Sequence, residues 1–196
     1  MVKNEKSLQK VVLIYVEGDT EKEFFEKLYQ NWEKRKNIKI IIKNVKGIGN
    51  YQKKPYNHFK TTVKTKFGNC CYNIFFAYDS DVFEFSPKPP VDWKAVEKQF
   101  RKHKKAICYH LKAIKNIEDW LFIDFEGLCD FLKLNPEKNK VKGKTGLEKI
   151  EKLFKRANKT YIKGTKVEGL LNKLNLKKIY KAKKDILETL KKAITE

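Results

Sequence analysis

The sequence predicts an α/β fold: a mostly parallel sheet flanked by helices, with further helices added towards the C-terminus. Three observations carry this expectation. Short apolar runs alternate with amphipathic stretches in the order strand–helix, which right-handed crossovers turn into a parallel sheet. Two of the runs, residues 11–16 and 74–78, are apolar at nearly every position, as strands buried on both faces are. Both end abruptly in carboxylates, Glu17 after the first and Asp79 and Asp81 after the second. Sheets of this kind place ligands beyond the carboxyl ends of their strands, so these acids are expected together at one edge.

The elements follow in order. Residues 1–9 are polar and expected to fray. Residues 10–16 form the first strand. Thr20 with Glu23 three positions on has the pattern of a capping box, so a helix begins near Thr20. Phe24, Phe25, Leu28, Tyr29 and Trp32 give it a buried stripe. Residues 38–45, rich in isoleucine and valine, form the second strand, and Gly47, Gly49 and Asn50 mark a loop. Phe59, Val63 and Phe67 recur at spacing four in a helix over 56–67. The third strand covers 72–78. The prolines of 86–90 exclude helix and interior strand, leaving a rigid surface loop. Asp92 caps a helix over 93–103, a fourth strand covers 105–111, and 117–132 is helical in two pieces with a break near Gly127.

Residues 1–134 thus make the sheet domain. The Lys- and Asn-rich stretch 135–144 reads as a mobile basic loop. Residues 145–196 read as a helical cap packed on the core, with helices over 146–157, 166–174 and 176–194. Ile179, Ile186, Leu190 and Ile194 form the buried stripe of the last. That stripe packs the domain and lacks Trp or Phe, which argues against a membrane-surface helix.

At 196 residues and 41% apolar content, the chain can bury one substantial core. No apolar run reaches membrane-spanning length and no secretory leader opens the chain. Cys70, Cys71, Cys108 and Cys129 form no Cys-x-x-Cys pair, so a reduced cytoplasmic protein is expected. The formal net charge is +21, from 45 Lys and Arg against 24 Asp and Glu. Such an excess attracts polyanions, nucleic acid above all. An A/T-rich genome explains the preference for lysine over arginine, but less easily the imbalance of sign.

In a basic chain, a cluster of acids implies a cation to neutralise it. Asp79 and Asp81 in an extended segment point the same way, about 7 Å apart. Oxygen-only ligands select Mg²⁺ or Mn²⁺ over Zn²⁺. Such an ion stabilises charge during phosphodiester cleavage, with Glu17 as ligand or general acid/base. Taken singly, an Asp-x-Asp or a Glu-Gly after a strand is more often an ordinary turn; it is their combination that points to a site. Lys163, Lys166, Lys53, Lys54 and Arg101 are candidate phosphate contacts, although any single lysine is more often a solvated surface residue. His58, His103 and His110 lack metal spacing; His110 is expected at the end of the fourth strand, at the same edge as the acids. Gly143-Lys144-Thr145 resembles the tail of a P-loop, but no strand leads into it and Lys138 stands where the first glycine belongs.

The segment Val16-Glu17-Gly18-Asp19-Thr20-Glu21-Lys22-Glu23-Phe24-Phe25 resembles the first motif of Toprim domains. It is most similar to the standalone Toprim proteins and the overcoming-lysogenization-defect nucleases, whose motif reads roughly Glu-Gly-x-Thr-Glu. Asp79-Ser80-Asp81 matches the family's Asp-x-Asp. Ile117-Glu118-Asp119-Trp120-Leu121 and Tyr161-Ile162-Lys163-Gly164 resemble later motifs of the standalone, RloB-like branch. The resemblance implies a Rossmann-like core and a Mg²⁺-dependent nuclease. Glu17, Asp79 and Asp81 would be its catalytic and metal-binding acids, and Glu118 would complete a second metal site. It further implies a place in anti-phage defence and an ATPase partner. The alternative is a non-catalytic nucleic-acid-binding or regulatory subunit of such a complex. Topoisomerases and primases of the family carry further domains that 196 residues do not accommodate. After Asp81 the chain reads Val-Phe-Glu-Phe-Ser-Pro, where some nucleases place another acid; Glu84 is the substitute on offer.

Overall fold

A computed structural model of the chain describes residues 10–33, 36–81, 89–113 and 116–196. Its centre is a four-stranded, all-parallel sheet of β1 (Lys10–Val16), β2 (Ile38–Asn44), β3 (Cys71–Asp79) and β4 (Ala106–Ala113), in the order β2-β1-β3-β4. The chain steps outward from β1 to β2, returns across β1 to β3, and continues to β4. Its winding therefore reverses between β1 and β3, a Rossmann-like arrangement whose switch point opens a crevice at the carboxyl ends of those two strands.

Alternation along the strands divides the interior into two cores. Val12, Ile14, Val16, Phe75, Ala77 and Leu111 face α1 (Asp19–Gln30) and the C-terminal helices. Val11, Leu13, Tyr15, Ile74 and Phe76 face α2 (Lys54–His58), α3 (Lys64–Phe67) and α4 (Trp93–Arg101). The second core is aromatic: Phe59 meets the rings of Tyr72 and Phe100, and Tyr51 meets that of Trp93.

The C-terminal layer comprises α5 (Ile117–Leu121), α6 (Phe125–Leu132), α7 (Gly146–Arg156), α8 (Leu170–Lys173), α9 (Leu176–Ala182) and α10 (Lys184–Thr195). Leu153, Ile179, Leu187 and Leu190 join the same core as Phe24 and Phe75. Residues 145–196 are therefore one wall of the sheet domain.

Several boundaries differ from expectation. Helix α1 starts at Asp19 behind Gly18 and has no side-chain cap, because the Thr20 hydroxyl donates to Thr165 O at 3.0 Å instead. The glycine loop closes into a 3-10 turn, Ile48–Gln52. A π turn, Phe59–Val63, joins α2 to α3 in one helical run. The break between α5 and α6 is a 3-10 turn, Phe122–Asp124, and not Gly127, which lies inside α6. Of 166–174 only α8 is helical, because Gly169 at φ +78° sets its start. The last helix divides at Lys183, whose φ of −119° leaves the helical range. Asp92 caps α4 as expected, accepting from Ala95 N at 3.0 Å. Residues 135–144 hold no helix or strand, yet Lys152 Nζ donates to Lys142 O at 2.9 Å and Arg156 Nη1 to Lys140 O at 3.3 Å. Most of the proline loop, including Ser86, Pro87 and Lys88, lies outside the described residues, as does Glu84. Among the described residues no helix is long and apolar enough to cross a membrane.

Candidate active site

The β1–β3 ladder makes its last pair at Tyr15 and Phe76, after which side chains take over the work of holding the strands. The Tyr51 hydroxyl lies between Tyr15 O, at 3.1 Å, and Ala77 O. One step further, Glu17 Oε1 accepts from Asp79 N at 2.9 Å, so the carboxylate stands where a ladder carbonyl would be. Both acids thereby sit at the switch point.

Asp79 is only 4% exposed. Its Oδ1 accepts from Ile117 N at 3.0 Å, tying β3 to the start of α5. Its Oδ2 lies 3.1 Å from Lys163 Nζ, which is also 3.1 Å from Asp81 Oδ2. Asp81 is past the strand, so the expected alternation along an extended segment does not relate the two aspartates; a shared ammonium does.

The loop that delivers Lys163 is anchored on both sides. Asp19 N donates to Gly164 O at 3.1 Å, and the Tyr161 hydroxyl donates to Glu118 Oε1 at 2.9 Å. Gly18 suits this approach, because a Cβ would crowd the loop at 3.1 Å from Gly164 O and 3.2 Å from Gly164 Cα. A glycine lets backbone come close, and here it is this loop's backbone that does so. Glu17, Glu21, Asp79, Asp81 and Lys163 line an open cleft of about 180 Å³.

Burial dominates the electrostatics. It raises the Glu17 carboxyl, against the pull of the Asp79 N–H and Lys163. It pushes Glu21 up to about 7 and Asp79 up to about 8, the latter despite the Lys163 ammonium. Glu118, fully buried, is likewise raised. For Lys163 burial alone would favour loss of the proton, but Asp79 and Asp81 outweigh it and the pKa rises. Glu21 Oε2 and Glu118 Oε2 are buried without a hydrogen-bond partner among the described residues.

In kind, these donors fit a hard divalent cation: all are carboxylate oxygens, two are buried and unsatisfied, and burial leaves the cluster short of positive charge. In arrangement they are not a closed cage. Among the described residues no three His, Cys, Asp or Glu side chains form a ready-made ion-binding group, and Lys163 stands between the two aspartates.

The structure brings Glu17, Asp79, Asp81 and Lys163 together and places Glu118 behind them on α5. The other basic candidates lie elsewhere. Lys166 Nζ is 3.9 Å from Glu23 Oε1 on α1, and Lys54 Nζ donates to Val45 O. Lys53 is exposed after the 3-10 turn, and Arg101 pairs with Glu97 at 2.6 Å on α4. His110 is inside β4, opposite Phe76, with Nε2 2.9 Å from Glu97 Oε1; it belongs to the aromatic face and not to the acid edge. Thr145 caps α7 by accepting from Glu148 N, which disposes of the P-loop likeness. Sequence reasoning missed two participants. Glu21 was visible as the last residue of the Glu-Gly-x-Thr-Glu pattern; Tyr51 had no signal beyond its place beside a glycine loop.

No family model, curated protein or solved structure matches the chain.

Proposed function

We propose that the chain is a divalent-cation-dependent nuclease, cleaving phosphodiester bonds of DNA or RNA at the carboxyl edge of β1 and β3. The observation that carries this reading is the convergence of Glu17, Asp79 and Asp81, from separate parts of the chain, at the switch point of a basic protein. Mg²⁺ or Mn²⁺ held by Glu17, Asp79 and Asp81, with Glu118 behind, would supply Lewis-acid stabilisation of phosphate charge. Glu17, raised by burial, is suited to take a proton from the attacking water. Lys163, 39% exposed at its side chain, is placed to pair with a phosphate oxygen once the aspartates are otherwise neutralised. The defence setting, the ATPase partner and the cytoplasmic location rest on the resemblance and composition described above.

A second reading is favoured by one contact: Lys163 already bridges both aspartates, as it would in a binding subunit that does no chemistry. Calorimetric titration with Mn²⁺, alongside cleavage of labelled DNA and RNA, separates the two. The nuclease reading expects wild type to bind Mn²⁺ and cleave, and Asp79→Asn to lose about 100-fold or more in rate together with Mn²⁺ affinity. Cleavage that survives Asp79→Asn defeats it. Nucleic-acid binding without cleavage, with Mn²⁺ uptake only by Lys163→Met, supports the second.

A further inference from the structure

Away from the acid cluster, the outer face of α7 and the 139–144 segment enclose a cleft of about 600 Å³ lined by Lys140, Val141, Lys142, Lys152, Lys155 and Arg156. We infer that this cleft seats the phosphodiester backbone of the nucleic-acid substrate, an inference that rests on the nuclease reading for the word substrate but not for the binding itself.

Five of the six lining residues are cations and none is an acid. Of the nearby carboxylates, Glu148 Oε2 accepts from Lys144 N, and Glu137 pairs at 2.8 Å with Lys140 of the lining, which leaves four lining cations for a ligand. The walls are fastened to each other by the bonds from Lys152 to Lys142 O and from Arg156 to Lys140 O. That cross-bracing holds both sides of the cleft in place before any ligand arrives, which lowers the ordering cost of binding. Burial of Ile150, Leu153 and Phe154 fixes which face of α7 points outward. A concave, cationic surface with one aliphatic residue suits a phosphate chain and not a lipid surface, which needs an apolar face to insert.

The cleft is also within chain reach of the site. Arg156 and Lys163 are seven positions apart, so their Cα atoms are at most about 25 Å apart. A duplex covers that span with about seven base pairs. Helix α7 is itself held to α5, which carries Glu118, by Gly146 N donating to Asp119 Oδ1 at 2.7 Å.

The test compares the triple variant Lys152→Gln/Lys155→Gln/Arg156→Gln with a control of equal charge loss, Lys60→Gln/Lys181→Gln/Lys184→Gln, all six side chains being exposed. Fluorescence anisotropy with labelled DNA and RNA oligonucleotides is read across salt concentrations. The cleft triple is expected to bind about 10-fold or more weakly and to lower the log–log salt slope by about 2–3, while the control changes affinity by less than about threefold. Equal losses in both triples, or none in the first, overturn the inference. Should the triple melt early because two carbonyl ties are gone, Lys142→Gln/Lys155→Gln keeps those ties and is expected to lower the slope by about 1–2. Wild-type cleavage is measured on the same preparations. Binding through the cleft without cleavage defeats the nuclease reading alone, and cleavage with an unaltered triple defeats the cleft alone.

Discussion

The two faces of the sheet are made by the same strands and are closed in opposite ways. Towards α2–α4 the cover is aromatic, and its two buried tyrosine hydroxyls nearest the strands reach backbone: Tyr15 OH donates to Pro55 O at 2.9 Å, and Tyr51 OH meets Tyr15 O and Ala77 O. Towards α1 and the C-terminal layer the core is mostly aliphatic, with Phe24, Phe75 and Trp120 among it, but holds charge. The buried carboxylates among the described residues, Glu21, Glu23, Asp79, Glu118 and Asp124, come from α1, the end of β3, α5 and the turn after it; none comes from α2–α4. Burying a carboxylate is costly, and aromatic residues fill the same volume without that cost. A sheet that needed stability alone would close both faces in the aromatic manner. Asp124 pairs its charge with Asn175 N and Lys178, whereas Asp79 and Glu21 face the cleft of the proposed site, and the comparison shows on which side that proposal is to be tested.

The largest expected effect breaks the charged face mechanically. Helix α7 begins with its backbone against α5: a Cβ on Gly146 would stand 2.3 Å from Asp119 N and 2.4 Å from Glu118 C. Those are main-chain atoms that cannot turn aside. Gly146→Ala must lift α7 off α5 and lose the Asp119 bond, at a cost of about 3 kcal/mol or more in denaturant unfolding. Gly143→Ala is the matched control. Its Cβ meets only the flexible Lys149 and Glu148 side chains, so about 1 kcal/mol or less is expected. Similar losses in the two variants would mean that α7 is a loose cover and not a fixed wall.

Next in size is a dependence on pH that arises on the same face. Burial pushes Glu21 up to about 7 from an ordinary value of 4.5, so folding favours its neutral form. The native state holds that proton where the unfolded chain has released it. Stability is thus unpenalised below about 4.5 and falls as pH rises towards 7. Glu21→Gln removes the penalty: metal-free wild type and variant should be similar at acid pH, and the variant should be the more stable by up to about 3 kcal/mol at pH 8. Mn²⁺ should protect wild type more than the variant at the higher pH. Parallel stability curves for the two proteins would show that Glu21 is ordinary packing.

The fold was legible because its signals are local and repetitive. The run of residues 11–16 and that of 74–78 needed nothing beyond their own apolarity to be read as buried strands, and both are. Glu17, Asp79 and Asp81 were legible as a group because strand ends meet at a sheet edge whatever the details. What escaped was decided by distant contacts. Thr20 has the spacing of a cap, but the loop at Thr165 claims its hydroxyl, and sequence does not state which partner wins. The pairing of Lys163 with two aspartates roughly eighty positions earlier left no local trace; only its neighbourhood Tyr-x-Lys-Gly hinted at a turn. Arg101 and Lys54 stand away from the acid cluster, where Glu97 and Val45 O hold them.

The smallest effect sharpens the comparison where the faces meet. Tyr51 is fully buried in the aromatic core, yet its hydroxyl lies between the carbonyls of Tyr15 and Ala77, each two residues before a candidate acid. Removing one such hydroxyl costs about 1 kcal/mol, a fall in Tm of about 2–4 °C for a chain of this length. If that hydroxyl also sets the gap between the strands, Tyr51→Phe should lower Mn²⁺ affinity severalfold as well, because Glu17 and Asp79 are held by the same two strand ends. A small loss of stability with unchanged Mn²⁺ affinity would confine the aromatic face to packing. Loss of both would make Tyr51 the one point at which the uncharged side of the sheet governs the charged one.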